Sequence, residues 1–312
     1  MTDLEGLHSV MRGVTRLGEP LVSHTTLRVG GPAEVYAVPA SEADLRAALA
    51  WAHRTARPWR VIGLGSNLLC PDAGYMGLVL SLEQACAAWR LDGNRLWAGG
   101  GVHLAPLVAR TARLGLSGLE AVAGVPGTVG GALAMNAGTP KGEMADVVRW
   151  VRVLLPDGRI CRWSRAEMRF GYRTSRLQEE DGIALDAELQ LRHADASDLL
   201  RDLRDRAAQR RRTQPLELPN AGSIWRNPPG DYAGRLVEAA ACRGIRRGDA
   251  QVSPKHGNFI VNLGRATAGD VIALMAEVRA EVERRFGVRL HAEIRWLLGQ
   301  EALEALLDHP PG

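Results

Sequence analysis

The stretch Gly124-Val125-Pro126-Gly127-Thr128-Val129-Gly130-Gly131-Ala132-Leu133-Ala134-Met135-Asn136-Ala137-Gly138 decides the interpretation of the whole chain. Five of its fifteen residues are glycine, it carries no charge, and only Thr128 and Asn136 have hydrogen-bonding side chains. Glycine leaves backbone N–H groups accessible and permits unusual backbone angles, so such a stretch suits a phosphate or a flat heterocycle. The alternative interpretation is a tightly packed loop between buried elements.

A second loop of the same kind, Gly63-Leu64-Gly65-Ser66-Asn67-Leu68, favours the ligand interpretation. It does not match the dinucleotide-binding pattern G-x-G-x-x-G, because Leu68 occupies the third glycine position and Pro71 would stop the helix that should follow. We therefore expect a strand, a loop and a second strand, with Ser66 and Asn67 presented to a phosphate.

Composition places the chain among globular proteins of ordinary make-up, with 312 residues, 46% hydrophobic and 24% charged. This length predicts a large core and two domains. The formal charge is +4 and is carried mostly by arginine, which can hold a carboxylate or phosphate by two contacts. Four scattered cysteines predict free thiols in a reducing cytoplasm, and no histidine cluster indicates a metal site.

Neither a membrane nor a nucleic acid is expected as a partner. The N-terminus has no apolar run that would mark a signal peptide, and no apolar stretch approaches the roughly 18 residues that a membrane span needs. The helix predicted over 195–212 is rich in arginine, but interleaved Asp198, Asp202 and Asp205 would repel phosphate. We interpret it as a solvated connecting helix and place a domain boundary there.

Hydrophobic periodicity predicts an α+β chain. Predicted strands cover 34–38, 59–62, 77–80, 95–98, 148–155, 159–162, 183–191, 256–263 and 293–298. Predicted helices cover 41–54 with Ser41 as the cap, 103–114, 195–212, 233–241 and 267–286, followed by a short helix within 300–312. In the long helix, Phe286 is expected to face inward and Gly287 to end the helix.

Three places carry polar side chains in settings unlike ordinary surface. They are Arg173 in Phe170–Ser175, Ser223 in Asn220–Pro228, and Glu293 before an apolar run. Each has a plain alternative: a surface ion pair for Arg173, a turn or cap serine for Ser223, and a solvated strand end for Glu293. Ser223 is not a hydrolase nucleophile, because the G-x-S-x-G elbow is absent.

Taken together, these segments resemble one family, the UDP-N-acetylenolpyruvoylglucosamine reductases (MurB). The matching motifs run in family order over about Leu17 to Gly299. They are T-T-L-R-V-G-G-P-A at 25–33, G-S-N-L-L at 65–69, G-L-E-A-V-A-G-V-P-G-T-V-G-G-A at 118–132, M-N-A-G at 135–138, F-G-Y-R-T-S at 170–175, N-A-G-S-I-W-R-N-P at 220–228 and K-H-G-N-F-I-V-N at 255–262.

The resemblance implies a two-subdomain FAD-binding region of the vanillyl-alcohol-oxidase (PCMH) type over 17–193. A C-terminal α+β substrate-binding domain follows over 194–300, with a tail over 301–312. The short distance between the F-G-Y-R and N-A-G-S motifs is similar to the class that lacks an extra substrate-covering loop. The implied protein is a monomeric cytoplasmic enzyme that binds FAD non-covalently and uses NADPH as reductant.

The same resemblance implies roles for individual residues. Ser223 would donate a proton, and Arg173 and Glu293 would complete the catalytic group. Substrate would contact Tyr172, Asn227 and Asn258. The cofactor would contact Arg28, Gly63, Gly65, Ser66, Asn67, Leu68, Gly124, Pro126, Gly127, Thr128, Gly130, Ala134, Asn136 and Gly138.

The implied reaction reduces UDP-N-acetylglucosamine enolpyruvate to UDP-N-acetylmuramate, with hydride from reduced FAD and a proton from the serine. Two positions depart from the family pattern. Thr213 stands where relatives commonly have lysine, and Arg211 or Arg212 is the candidate replacement for its charge. Ala292 stands where relatives usually have proline before the glutamate.

Two other functions use the same loops. One is a flavin oxidoreductase of the same FAD-domain type that acts on a different substrate. The C-terminal motifs argue against this alternative, but the departure from the family pattern at Thr213 keeps it open. The other is a nucleotide-binding module without redox chemistry, which a purified protein lacking the yellow colour of flavin would favour.

Overall fold

The computed structural model describes residues 3–309, with side chains described from Gly6 onward. Its α-helices in that range are α1 (Asp3–Val10), α2 (Glu42–Arg54), α3 (Leu104–Arg113), α4 (Val129–Ala134), α5 (Arg176–Glu179), α6 (Ala196–Thr213), α7 (Ala233–Ala239), α8 (Ala268–Phe286) and α9 (Gln300–Asp308). The strands are β1 (Gly13–Pro20), β2 (Pro32–Pro39), β3 (Trp59–Ile62), β4 (Leu68–Leu69), β5 (Tyr75–Ser81), β6 (Trp89–Asp92), β7 (Arg95–Gly99), β8 (Leu116–Ser117), β9 (Gly138–Thr139), β10 (Gly142–Glu143), β11 (Val148–Leu154), β12 (Ile160–Ser164), β13 (Ile183–Gln190), β14 (Arg192–His193), β15 (Arg246–Arg247), β16 (Ala250–Val252), β17 (Ile260–Asn262) and β18 (Arg295–Trp296).

Contacts divide the described chain into two compact units that do not follow chain order. The first unit comprises the residues up to Leu17, Val35–Gly63 and Gly77–Ala208. The second unit comprises Gly18–Glu34, Leu64–Met76 and the residues from Gln209 onward. The loop that begins at Leu64 therefore groups with the C-terminal half of the chain.

The described part of the first unit has two larger sheets, two apolar cores and the two-stranded pairs β10-β9 and β14-β8. One sheet has the order β1-β2-β5-β3, and its core includes Trp51 of α2, which is 1% exposed. The other sheet has the order β12-β11-β13-β7-β6, with antiparallel pairing throughout, and it shares a core with α3 and α4. The glycine-rich stretch around α4 is thus built onto the second of these cores.

The second unit is organised around α8. Its apolar face packs against the three-stranded sheet β15-β16-β17 and against α7 and α9. A separate parallel pair joins β4 to β18, with Leu68 opposite Arg295 and Trp296 opposite Leu69. This pair places the loop before β4 beside the segment that leads into β18.

The predicted cap at Ser41 and the predicted helix end at Gly287 are confirmed, and the structure adds a cap at Thr267. The Ser41 hydroxyl accepts from the Asp44 N–H at 3.1 Å. Thr267 and Asp270 form a reciprocal capping box at the start of α8, and Gly287 ends that helix with φ +64°. Gly115 follows α3 with φ +68°. Serine and threonine oxygens satisfy the first N–H groups of a helix, and glycine adopts the left-handed conformation after the last turn.

Four predictions about elements were wrong. The strand expected over 256–263 is confined to β17, and the one expected over 293–298 is confined to β18. Phe286, expected to face inward, is 39% exposed and is the last residue of α8, where the helix ends. The glycine-rich stretch, expected as a loop, contains the short helix α4, which Thr128 caps.

Two features are absent from residues 3–309. No helix there is both long and apolar enough to cross a bilayer. Over the same residues, no group of three or more His, Cys, Asp or Glu is placed to hold a metal ion.

Candidate functional site

The glycine-rich stretch of the first unit turns into α4 at Thr128. The Thr128 hydroxyl accepts from the Gly131 N–H at 3.3 Å. A side chain at Gly63 would place its Cβ only 2.8 Å from the Thr128 Oγ1, so this position requires glycine or a shift of Thr128. Gly63, Gly124, Pro126 and Gly131 are all exposed. The result is an exposed stretch of backbone that carries no charged side chain of its own.

A run of three glycines, Gly99–Gly101, packs against the backbone at the start of α4. The Gly130 N–H donates to the Gly100 carbonyl at 2.8 Å, and the Val129 N–H donates to the Val102 carbonyl at 2.9 Å. A Cβ at Gly100 would lie 2.1 Å from the Ala184 carbonyl oxygen. Sequence reasoning missed this run, although three consecutive glycines directly after a predicted strand were a usable signal of close backbone approach.

Asn136 lies at the end of the stretch and is fully buried. Its Oδ1 accepts from the Ala145 N–H at 3.0 Å, and its Nδ2 donates to the Gly171 carbonyl at 3.0 Å. Its φ is +40°, a conformation that asparagine tolerates better than most residues. The side chain of this predicted cofactor residue therefore holds two other segments in place.

Arg173 stands at the tip of a two-residue turn. The N–H and carbonyl groups of Gly171 and Thr174 close the turn with bonds of 3.1 and 3.3 Å. Arg173 has φ +57°, and its Nη2 donates to the Gly138 carbonyl at 3.1 Å. The neighbouring Tyr172 ring lies 5.1 Å from the guanidinium carbon and is 48% exposed. The structure therefore brings Arg173 and Tyr172 together with the end of the glycine-rich stretch.

In the second unit, the loop before β4 is fixed by close backbone contact. Gly65 has φ +60°, and a Cβ there would lie 2.0 Å from the His24 carbonyl oxygen. The Thr26 N–H donates to the Gly65 carbonyl at 3.2 Å. Arg28, three residues after Thr25, has an exposed side chain and φ +56°. A residue with any Cβ at position 65 would displace the 24–26 backbone.

Asn67 joins this loop to Glu293. The Asn67 Nδ2 donates to the Glu293 carbonyl at 3.1 Å, and the Arg295 N–H donates to the Asn67 carbonyl at 3.0 Å. The Glu293 N–H in turn donates to the Ile224 carbonyl at 2.7 Å. Since Ile224 follows Ser223 directly, these bonds bring the loop, the predicted acid and the predicted serine to one place in the second unit.

Asn258 holds the strand-like segment that carries Ser223. The Trp225 N–H donates to the Asn258 Oδ1 at 2.8 Å, and the Asn258 Nδ2 donates to the Trp225 carbonyl at 2.9 Å. Asn258 is only 5% exposed, whereas Ser223 is half-buried. Asn227, also predicted to contact substrate, is exposed and accepts from the Ala233 N–H at 3.0 Å.

Burial shifts the pKa of two side chains near these segments, His256 and Cys70, so that the neutral form is favoured. Burial lowers the pKa of His256, whose Nδ1 accepts from the Asn258 N–H at 3.1 Å. Burial raises the pKa of the Cys70 thiol to about 12, so this cysteine beside the loop is not a reactive thiolate. The described cysteines are all free, as their spacing predicted.

The position of the missing family lysine is also visible. Thr213 is exposed at the end of α6, and its hydroxyl donates to the Gln209 carbonyl at 3.0 Å. Lys255 lies at the same helix end, where its Nζ donates to the Arg211 carbonyl at 2.7 Å. A cationic group other than Arg211 or Arg212 is therefore close to this helix terminus.

Comparisons with known proteins agree with this geometry. A family model described as a FAD binding domain matches residues 33–164, and a model of the C-terminal domain of UDP-N-acetylenolpyruvoylglucosamine reductase matches residues 214–297. A protein named UDP-N-acetylenolpyruvoylglucosamine reductase 2, from Symbiobacterium thermophilum, is 48% identical over 293 residues, which is 93% of this chain and 95% of the relative. The chain belongs to the UDP-N-acetylenolpyruvoylglucosamine reductase family.

Other members of this reductase family support the assignment. The reductase of Heliobacterium modesticaldum is 48% identical over 285 residues, 91% of each chain. The crystal structure of the reductase from Thermus caldophilus matches with a TM-score of 0.77 at 38% identity, covering 92% of this chain and 99% of that one. The predicted family and the α+β fold with an FAD-binding region are confirmed. The chain is an FAD-binding oxidoreductase, a reductase of peptidoglycan precursor synthesis.

The residues present fit the cofactor that the family implies. The surface around Gly63 and Thr128 is a cradle that a single added Cβ would fill, and it carries no charge. Backbone of this kind can approach a flat ring system or a pyrophosphate closely. The loop at Gly65 is also uncharged, but Gly65 itself is buried against the His24 backbone.

Proposed function

We propose that this chain is the NADPH-dependent cytoplasmic flavoenzyme that reduces UDP-N-acetylglucosamine enolpyruvate to UDP-N-acetylmuramate. Family membership supports the reaction, and one observation supports the chemistry. In the second unit, the Glu293 N–H bonds to the carbonyl of the residue after Ser223, while the Glu293 carbonyl accepts from Asn67. The backbone segments that carry the Ser223 hydroxyl, the Glu293 carboxylate and the uncharged loop are thereby bonded to one another.

Bound FAD would supply the hydride chemistry, between NADPH and the β carbon of the enolpyruvyl group. The α carbon then needs a proton, and we assign its donation to the Ser223 hydroxyl. A hydroxyl is a weak acid, but the carbon it protonates is strongly basic, so correct placement is sufficient. The half-buried position of Ser223 leaves its side chain accessible to a substrate while limiting water around it.

The carboxylate of the substrate gains negative charge during this step. We assign its stabilisation to Arg173, because a guanidinium stays charged and can contact both oxygens of a carboxylate. The Arg173 side chain already donates to the Gly138 carbonyl, which limits its movement before substrate binds. Glu293 would orient the substrate carboxylate through a hydrogen bond.

Binding of the cofactor is assigned to the two uncharged segments. We propose that 65–68 contact the pyrophosphate and that 124–138 lie along the flavin, with Arg28 and Gly63 as further contacts. The proposed FAD-binding and substrate-binding domains remain 17–193 and 194–300. Tyr172 and Asn227, both exposed, suit direct substrate contact, whereas the buried Asn258 suits support of the Ser223 segment.

The test begins with an absorbance spectrum of the full-length protein before and after anaerobic addition of NADPH. We expect a visible flavin band that bleaches with NADPH and returns when the enolpyruvyl sugar nucleotide is added. NADH and a panel of other enoyl acceptors serve as controls. Colourless protein that takes up no FAD would contradict the flavoenzyme assignment. Reoxidation only by a different acceptor would favour another flavin oxidoreductase. Size-exclusion chromatography tests the expected monomer.

A further inference from the structure

The C-terminal helix α9 contacts the segment that carries Glu293 through two side chains. The Glu304 Oε1 accepts from the Ala292 N–H at 3.0 Å. The Gln300 Nε2 donates to the Ala292 carbonyl at 3.4 Å and to the Ile294 carbonyl at 3.1 Å. Backbone groups of both neighbours of Glu293, Ala292 and Ile294, are therefore bonded to α9.

Glu304 is itself fixed by a buried arginine. Arg279 of α8 is 2% exposed, and its Nη1 lies 2.7 Å from the Glu304 Oε2. Its Nη2 lies 2.7 Å from Asp308, which also pairs with Arg289. A buried guanidinium requires partners because an unpaired buried charge is costly, and its planar fork restricts the carboxylate it binds. The two oxygens of Glu304 thus have separate partners, Arg279 and the Ala292 backbone.

Sheet pairing of this part of the chain is limited to one isolated antiparallel bridge, between Ala292 and Trp225. Strand β18 begins only at Arg295, so residues 292–294 precede it. Their backbone groups bond instead to Glu304, Gln300, Asn67 and the Ile224 carbonyl. Side chains of α9 therefore bond to the Ala292 N–H and carbonyl, which the bridge to Trp225 does not use.

We propose that Glu304, held by Arg279, is a positioning residue that fixes the backbone at Ala292 and with it the direction of the Glu293 carboxyl group. The inference rests on the proposed role of Glu293 in the reductase reaction. No motif marks Glu304, which lies eleven residues beyond Glu293 in the sequence. The bond between its Oε1 and the Ala292 N–H assigns the role.

Two substitutions of Glu304 distinguish the contribution of its charge from that of its hydrogen bond to the Ala292 N–H. Glu304→Ala leaves the Ala292 N–H without its acceptor, so the segment gains freedom. A small displacement of a catalytic group costs on the order of 10–100-fold in turnover, and we expect a loss of that size. Glu304→Gln keeps an oxygen that can accept from Ala292, so it should recover most of the turnover. Glu301→Ala, an exposed glutamate of the same helix, is the matched control and should resemble the unchanged protein.

The first measurement is amide hydrogen exchange of a peptide covering residues 291–297 in the full-length protein. Exchange there should rise in Glu304→Ala and stay unchanged in Glu304→Gln and Glu301→Ala. If Glu304→Ala does not fold, Gln300→Ala removes two bonds to the same segment without leaving Arg279 unpaired, and it should raise exchange in the same peptide. Unchanged exchange in the folded variant would overturn the proposal.

The second measurement is a double-mutant cycle on turnover, with flavin reduction by NADPH followed separately. The loss from Glu304→Ala should disappear in a Glu293→Gln background, and the rate of flavin reduction should not change. A loss of equal size in both backgrounds, or equal loss in flavin reduction, would overturn the proposal. Full turnover by Glu293→Gln alone would overturn the role of Glu293, and the exchange measurement would still show whether α9 holds the segment.

Discussion

The predicted catalytic arginine and the predicted catalytic serine are held by different means. Arg173 lies on a tight turn with φ +57°, and its side chain is tied to a backbone carbonyl. Ser223 lies on an extended segment in which the next three residues, Ile224 to Arg226, all have backbone bonds to other segments. Backbone strain and side-chain contacts fix the first region, whereas backbone pairing fixes the second.

Two buried asparagines show the same contrast. Asn136, in the region of Arg173, bonds to two separate segments, at Ala145 and Gly171. Asn258, in the region of Ser223, bonds with both ends of its amide to one residue, Trp225. The first amide therefore joins two separate loops, whereas the second pairs with a single residue of one neighbouring segment. We therefore expect the Arg173 region to be more sensitive to loss of a side chain.

The largest expected effect tests whether the Ser223 region carries the proton transfer. Ser223→Ala should lower turnover of the enolpyruvyl substrate by about 10²–10⁴-fold, because a positioned proton donor contributes that much. Reduction of the bound flavin by NADPH should stay near normal, since no proton from Ser223 is needed there. Stopped-flow absorbance measures the two half-reactions separately. If flavin reduction falls as much as turnover, the assignment of Ser223 is wrong.

A pair of glycines tests whether close backbone approach fixes the second region. Gly65 and Gly93 have nearly the same φ, +60° and +57°, but only Gly65 has backbone atoms where a Cβ would stand. Gly93→Ala should lower the free energy of unfolding by about 1 kcal/mol, from the left-handed conformation alone. Gly65→Ala adds overpacking, for a total of about 2–4 kcal/mol, and should weaken flavin retention. Urea denaturation and flavin content measure both, and equal losses would contradict the comparison.

The two asparagines give the third test. Asn136→Ala removes bonds to two segments and leaves alanine at φ +40°, so we expect a loss of about 3 kcal/mol in unfolding free energy. Asn258→Ala removes two bonds to one residue and should cost about 2 kcal/mol. Asn227→Ala, at an exposed residue that accepts from the Ala233 N–H, is the control and should cost under about 1 kcal/mol. A larger loss for Asn258→Ala than for Asn136→Ala would reverse the contrast between the regions.

Features encoded in a few neighbouring residues could be predicted from the sequence. The caps at Ser41 and Thr267, the end of α8 at Gly287 and the hairpin between β11 and β12 each follow from local chemistry. The lengths of β17 and β18 could not be predicted, because a strand extends only as far as its partner does, and the partner lies elsewhere in the chain. Periodicity alone gave both strands too many residues.

The candidate site shows the same limit. Glycine-rich, uncharged stretches could be recognised as possible ligand surfaces because their composition shows that they lack charged and bulky side chains. The scaffolding roles of Asn136 and Asn258 could not, since a carboxamide that binds a ligand and one that binds backbone look identical in sequence. Glu304 is a stronger case, because its contact with Ala292 depends on how α9 packs and on the buried Arg279.

The smallest expected effect concerns pH and the support of the Ser223 region. Burial lowers the pKa of His256, opposed by nearby Glu238 and assisted by Arg243, and the Phe259 ring lies 4.8 Å from the imidazole. Because the folded protein binds this proton less readily than the unfolded chain does, the contribution to stability is present above the unfolded pKa, about 6.5. It is lost as the pH falls through the lower, folded value.

Protonation of Nδ1 would also remove the acceptor of the Asn258 N–H, and Asn258 supports Trp225, two residues after Ser223. We therefore expect the urea midpoint to fall between about pH 7 and pH 5, and more steeply than in His256→Asn, whose amide oxygen can accept the same bond without titrating. Turnover in that interval should fall before the protein unfolds, because the Ser223 segment loses a support while the core is intact. Parallel pH curves for the two proteins would show that His256 does not couple protonation to this region.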